Sequence, residues 1–190
     1  MKKLFFVALL TSSIASISNA ADTDSNFKFL LGGGATIGRQ AELTTSGSAV
    51  SDGRLKSVGT EGYGGIEYRW SDRLFLINTL GYHVSDARFA LGSTVHLTSI
   101  PFDGIALYGI NDQIRLGGGV EVAGHPELAA GSTNLREKYK TSPGLIVEGE
   151  YLFTPHMGLA LRYVAATYKA NNGGEDIKAN HAGVLFNYYF

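Results

Sequence analysis

The sequence predicts an all-β chain: an eight-stranded antiparallel up-and-down barrel that crosses a membrane. Three observations carry that prediction. From Phe27 onward, apolar and polar residues alternate at the period of a strand. Short and long polar connections take turns along the chain. The stretch 181–190 alternates up to a final aromatic, with Ala182, Val184, Phe186, Tyr188 and Phe190 sharing one face. After residue 20 no apolar run is long enough for a spanning helix, so a membrane location requires a closed barrel, which pairs every backbone group without water.

The first segment is expected to be lost on export. Met1-Lys2-Lys3, an apolar run over 4–10 and the small-residue site Ser18-Asn19-Ala20 fit a cleaved signal peptide, 1–20, with the cut before Ala21. Residues 21–190 then form one barrel domain. Without Lys2 and Lys3 the chain keeps 14 Lys and Arg against 17 Asp and Glu, a formal charge of −3, which offers no basic footprint for nucleic acid. Cysteine is absent, so disulfides, thiolate metal sites and a lipid-attachment cysteine are excluded.

The predicted strands run over 27–39, 57–70, 73–84, 95–110, 113–124, 143–153, 157–169 and 177–190. Three joints are short and turn-like: Ser71-Asp72-Arg73, Asn111-Asp112-Gln113 and Thr154-Pro155-His156. Four are longer and polar, over 40–56, 85–94, 125–142 and 170–176. That asymmetry is expected of short periplasmic turns and long external loops. In the fourth strand Pro101 cannot donate to a ladder, which predicts a bulge or kink around it.

Parity then sorts the faces. The first strand sends Phe27, Phe29, Leu31, Ala35 and Ile37 one way and Lys28, Gly32, Gly34 and Thr36 the other. The second opposes Ile66, Tyr68 and Trp70 to Glu67 and Arg69. The fifth opposes Ile114, Leu116, Val120 and Val122 to Arg115 and Glu121, the sixth Leu145, Val147, Tyr151 and Phe153 to Glu148 and Glu150, and the seventh Leu159, Leu161 and Tyr163 to Arg162. Phe27, Phe29, Tyr68, Trp70, Tyr108, Tyr151, Phe153, Tyr188 and Phe190 all fall near the short turns, where an interfacial girdle belongs. With the apolar face toward lipid, Lys28, Glu67, Arg69, Asp103, Arg115, Glu121, Glu148, Glu150 and Arg162 meet inside as a lumen charge network. Such charges must pair, because desolvating them singly is costly. In a barrel just wide enough to be filled by its own side chains they read as packing, with a narrow pore as the alternative. A soluble lipocalin-like barrel would need the opposite arrangement, an apolar pocket inside.

This pattern resembles the small eight-stranded outer-membrane barrels of Gram-negative bacteria, the group of the OmpA transmembrane domain and the OmpX-like proteins. The resemblance covers 27–190 and is architectural. Phe186, Tyr188 and Phe190 look like the terminal signal read by the barrel-assembly machinery, although Leu185 stands where many such signals carry Gly, with Gly183 two places further back. It implies a cell outer membrane location, contact with outer-membrane lipid and lipopolysaccharide, a monomer, no cofactor and no wall-anchoring domain after Phe190.

The same group includes lipid-modifying enzymes. His83-Val84-Ser85-Asp86 resembles the His-x-Ser-Asn stretch of PagL-type lipid A deacylases, where His activates a Ser nucleophile, but Asp86 replaces Asn and no Glu follows before Asn111. His96 and Asp103 suggest a palmitoyltransferase-like site only without that family's N-terminal amphipathic helix. The five His residues show no metal-ligand spacing. Gly32-Gly33-Gly34 and Gly117-Gly118-Gly119 open no helix, so they read as strand glycines that make room for neighbours rather than phosphate loops. Asn171-Asn172-Gly173-Gly174-Glu175-Asp176 lacks EF-hand spacing and reads as a turn. The long loops remain as binding candidates: 40–56 carries Glu42, Asp52, Arg54 and Lys56, and 125–142 carries Arg136, Glu137, Lys138, Tyr139 and Lys140, a basic cluster suited to lipopolysaccharide phosphates. The expected function is a non-enzymatic structural or surface-interaction role through these loops; the alternatives are a lipid A or phospholipid-modifying enzyme and a narrow channel.

Overall fold

A computed structural model describes residues 26–40, 55–88, 94–130, 136–170 and 177–190. The predicted signal segment, most of the predicted loop 40–56 and the turn 171–176 lie outside the described residues. Ten strands are seen: β1 (Phe27–Gln40), β2 (Leu55–Arg69), β3 (Leu74–Arg88), β4 (Thr94–Gly109), β5 (Ile114–Ala130), β6 (Arg136–Lys140), β7 (Ser142–Thr154), β8 (Met157–Ala165), β9 (Thr167–Ala170) and β10 (Ile177–Tyr189). β6 with β7, and β8 with β9, are single staves interrupted at Thr141 and Ala166, so the ten strands make eight staves. Every neighbouring pair is antiparallel, and β1 pairs with β10 from Leu30↔Tyr189 to Gln40↔Ala179, which closes the barrel. Closure leaves no edge strand facing lipid.

Each short turn is shaped by its first polar side chain. Ser71 Oγ accepts from the Leu74 backbone N–H at 3.2 Å. Asn111 Oδ1 accepts from Gln113 and Ile114 at 2.9 and 2.7 Å. Thr154 Oγ1 accepts from His156 at 3.2 Å. These are the local bonds for which Ser, Thr and Asn favour turns.

At the other end the strands outrun the prediction. The stretch 125–142, read above as a loop, continues β5 to Ala130 and contains β6. In that stretch outward positions such as Lys140 and Thr141 are polar, and the inward ones among the described residues include Pro126, Tyr139 and Ser142, so the apolar alternation of the other strands is absent. The irregularity expected around Pro101 falls between Thr98 and Ile100, where β4 advances two residues while β5 advances three, from Glu127 to Gly124. His125 lies in that β5 step with φ 50, the left-handed backbone that a bulge uses.

The outer wall is apolar. Ile37, Val58, Leu80, Phe102, Leu116, Leu145, Val147, Leu161 and Val184 are exposed, with Phe29, Trp70, Tyr108 and Phe153 toward the turns. Phe27 meets Tyr68 in a tilted arrangement at 4.6 Å and Tyr151 meets Phe153 edge-on at 5.3 Å, forming part of the aromatic belt. Inside, apolar and charged residues mix: β3 and β4 contribute Phe75, Ile77, Ile105 and Leu107, while the buried charges come from β2, β4, β5, β7 and β8. Gly32 is needed for the fit, because a Cβ there would overlap the Tyr63 ring and Asn187 Oδ1.

Candidate functional site: the lumen and its mouth

Among the described residues inward parity buries six carboxylates, Glu61, Glu67, Asp103, Glu121, Glu148 and Glu150, against two guanidiniums, Arg115 and Arg162. They gather at two levels. Nearer the short turns, Arg115 Nη1 lies 2.6 Å from Glu67 Oε2 and 3.4 Å from Glu150 Oε2. Its guanidinium also sits 3.8 Å from the centroid of the Phe75 ring. Glu150 is held independently: Asn187 Nδ2 and Tyr189 OH donate to its Oε1 at 2.7 and 2.6 Å. Tyr63 OH in turn donates to Asn187 Oδ1 at 2.5 Å.

One level further out, Arg162 binds three acids. Its Nε is 2.5 Å from Glu148 Oε2, and its Nη1 is 2.8 Å from Asp103 Oδ2 and 3.2 Å from Glu61 Oε1. Thr79 adds a hydrogen bond to Asp103 Oδ2 at 3.1 Å. Asp103 Oδ1 is buried without a partner, and Glu121 stands opposite Asp103 in the β4–β5 register. This is a crowded, dry arrangement in which each guanidinium offsets a desolvation cost of several kcal/mol per ion.

The residues assigned to the network from the sequence thus divide. Glu67, Asp103, Arg115, Glu148, Glu150 and Arg162 take part in these two centres, and Glu121 is buried beside the second. Lys28 stays half-buried at the rim, with Nζ donating to the Pro155 carbonyl at 3.4 Å. Arg69 is exposed rather than packed with them, at the end of β2 on the barrel rim. Glu61, Tyr63, Asn187 and Tyr189 were not anticipated. Glu61 was within reach, since it lies six residues before Glu67 and therefore on the same face. Phe186 and Tyr188 are exposed on the outer wall, and Phe190 meets Tyr188 edge-on at 4.8 Å.

Above the arginines two histidines stack inside the lumen. His83 and His181 stack with ring centroids 4.7 Å apart, His83 Nε2 shares a 2.9 Å hydrogen bond with Thr36 Oγ1, and His181 Nδ1 donates to the Ala179 carbonyl at 3.1 Å. The cavity beside them, lined by Thr36, Ser57, Ser85 and Tyr168 among others, measures about 10 Å³. That is room for one water at most.

The deacylase-like stretch is split by this geometry. His83 and Ser85 are two apart and both face inward, while Asp86 faces outward and pairs with His96, its Oδ1 2.6 Å from Nδ1. His96 and Asp103, seven apart, likewise lie on opposite faces. Among the described residues no group of three or more His, Cys, Asp or Glu is placed to hold a metal ion.

Comparison with known proteins agrees with this architecture. Residues 6–190 match the family model described as the outer membrane protein beta-barrel domain. Neisserial surface protein A superposes with TM-score 0.62 at 17% identity, over 85% of this chain and 97% of its own. Ail, the attachment invasion locus protein of Yersinia pestis solved with the heparin analogue sucrose octasulfate, gives 0.59 at 12% identity, over 87% and 99%. OprG from Pseudomonas aeruginosa gives 0.50 at 16% identity, over 87% and 96%. These likenesses are to a shared fold. No curated protein matches the sequence.

Proposed function

The chain belongs to the outer membrane protein β-barrel family of the Gram-negative outer membrane, and from that membership we propose that it is a non-enzymatic surface scaffold rather than a pore. One observation supports this above the others: the lumen is filled at two successive levels by Arg115 and Arg162 with their carboxylates. A barrel plugged in this way can present loops and an outer wall, and its natural partners are outer-membrane lipid and lipopolysaccharide.

The test is conductance of the full chain reconstituted in planar bilayers. The scaffold reading expects no steady single-channel steps, and reproducible ion-selective steps would replace it with a channel. The enzymatic alternative has less support, because His83 shares its Nε2 bond with Thr36 and Asp86 faces away. Lipid A and phospholipid mass spectra of cells with and without the protein should be identical. An acyl-chain difference abolished by Ser85→Ala would make it an enzyme.

A further inference from the structure

The outer wall over β6 to β10 carries a cationic group that the lumen does not explain. Tyr139 is buried, Lys140 and Thr141 are both exposed, and Ser142 is buried again, so the β6/β7 stave bulges there and turns Lys140 outward. In the β6–β9 register Lys140 stands directly opposite Lys169, also exposed. On the next stave Lys178 is exposed and stands opposite Thr167, two residues from Lys169. Like charges directly opposite on one face of a sheet destabilise it unless an anion lies between them. Among the described residues none of these three lysines forms an ion pair, and in the β5–β6 register Glu127 stands opposite Lys138.

Below the lysines the same wall becomes apolar. An apolar groove of about 620 Å³ crosses the wall over β5, β7, β8, β10 and β1, with Ile37, Val147, Leu161, Tyr163, Ala182 and Val184 on its lining. Ala182 and Val184 lead up β10 through Asn180 to Lys178. At a strand rise of about 3.4 Å per residue, Lys178 lies about 14 Å beyond Ala182. An amphiphile with its chains in the groove would therefore hold its head group among the lysines.

We infer that this face is a docking site for a phosphorylated glycolipid of the extracellular leaflet, the lipid A part of lipopolysaccharide. Acyl chains lie against Leu161, Tyr163 and Ala182, a phosphate bridges Lys140 and Lys169, and Lys178 flanks it. The inference rests on the lipopolysaccharide contact proposed above and narrows it to one side of the barrel.

Native mass spectrometry of the full-length folded barrel in uncharged detergent tests it, with bisphosphorylated lipid A, dephosphorylated lipid A and phosphatidylglycerol as separate titrants. Wild type should retain lipid A at least about tenfold more tightly than the K140Q/K169Q/K178Q variant, as expected for removing several surface cations near anionic lipid. Dephosphorylated lipid A and phosphatidylglycerol should bind wild type as weakly as lipid A binds the variant. Ala182→Trp, which narrows the groove and keeps every lysine, should also weaken retention. Equal lipid A retention by wild type and the lysine variant overturns this site and leaves a lipopolysaccharide contact elsewhere. Failure of wild type to prefer lipid A over phosphatidylglycerol overturns both.

Discussion

Two sets of cations sit on opposite walls of the same barrel and meet opposite fates. Arg115 and Arg162 point into the lumen, buried, and bind two and three carboxylates respectively. Lys140, Lys169 and Lys178 point outward beyond the apolar band, exposed, and two of them face each other across the β6–β9 ladder. Strand parity decides the side, and the side decides what the charge can do. A buried guanidinium is committed to neutralising acids that cannot reach water, whereas an exposed ammonium at the edge of the lipid remains available to a ligand.

Substitutions break this contrast in graded steps. Arg162→Met should have the largest effect, because it strands Glu148, Glu61 and an Asp103 that keeps only Thr79; removing one partner of a buried ion cluster costs about 3–5 kcal/mol. Equilibrium urea unfolding in vesicles, read by gel mobility of folded and unfolded forms, checks it. Arg115→Met should lose less in the same assay, since Glu150 retains Asn187 and Tyr189 while only Glu67 loses its recorded partner.

A charge placed on the wrong wall provides the complementary break. Leu161→Arg puts a guanidinium among exposed apolar residues of the lipid face and should cost about 2–4 kcal/mol. Moving the same substitution to Thr167, higher on that stave and outside the apolar band, should cost little. Smaller still is Tyr63→Phe, which removes the hydrogen bond to Asn187 and should lower stability by about 1 kcal/mol. At the bottom of the scale, Asp86→Asn weakens a hydrogen bond between two side chains that are about half exposed, and the unfolding free energy should change by less than ~0.5 kcal/mol.

Much of this was legible in the chain, and the gaps have physical causes. Where lipid lies on one side, the period of two is written in apolar residues, so Arg115, Glu121, Glu148, Glu150 and Arg162 were assigned inward from their neighbours. Residues 57–65 of β2 offer only Val58 as an aliphatic marker, and Glu61 and Tyr63 went unread there although their spacing to Glu67 fixes their face. β6 and the far part of β5 were hidden for a different reason. Their outward positions, such as Lys140, are polar and the buried ones among the described residues, Pro126 and Tyr139, are not aliphatic, with a left-handed His125 in the run, and composition alone resembles a loop. The histidine stretch shows the reverse case: odd spacing already separates Asp86 from His83, so the sequence itself argued against a convergent triad.

The contrast between inner and outer cations reduces to one experiment, parallel urea unfolding of Arg162→Met and the K140Q/K169Q/K178Q variant beside wild type in identical lipopolysaccharide-free vesicles. The predicted result is a large fall in the midpoint for Arg162→Met and an unchanged or slightly higher midpoint for the lysine variant, which is relieved of like charges. A lysine variant as destabilised as Arg162→Met, or an Arg162→Met barrel as stable as wild type, would contradict the division of roles between the two walls.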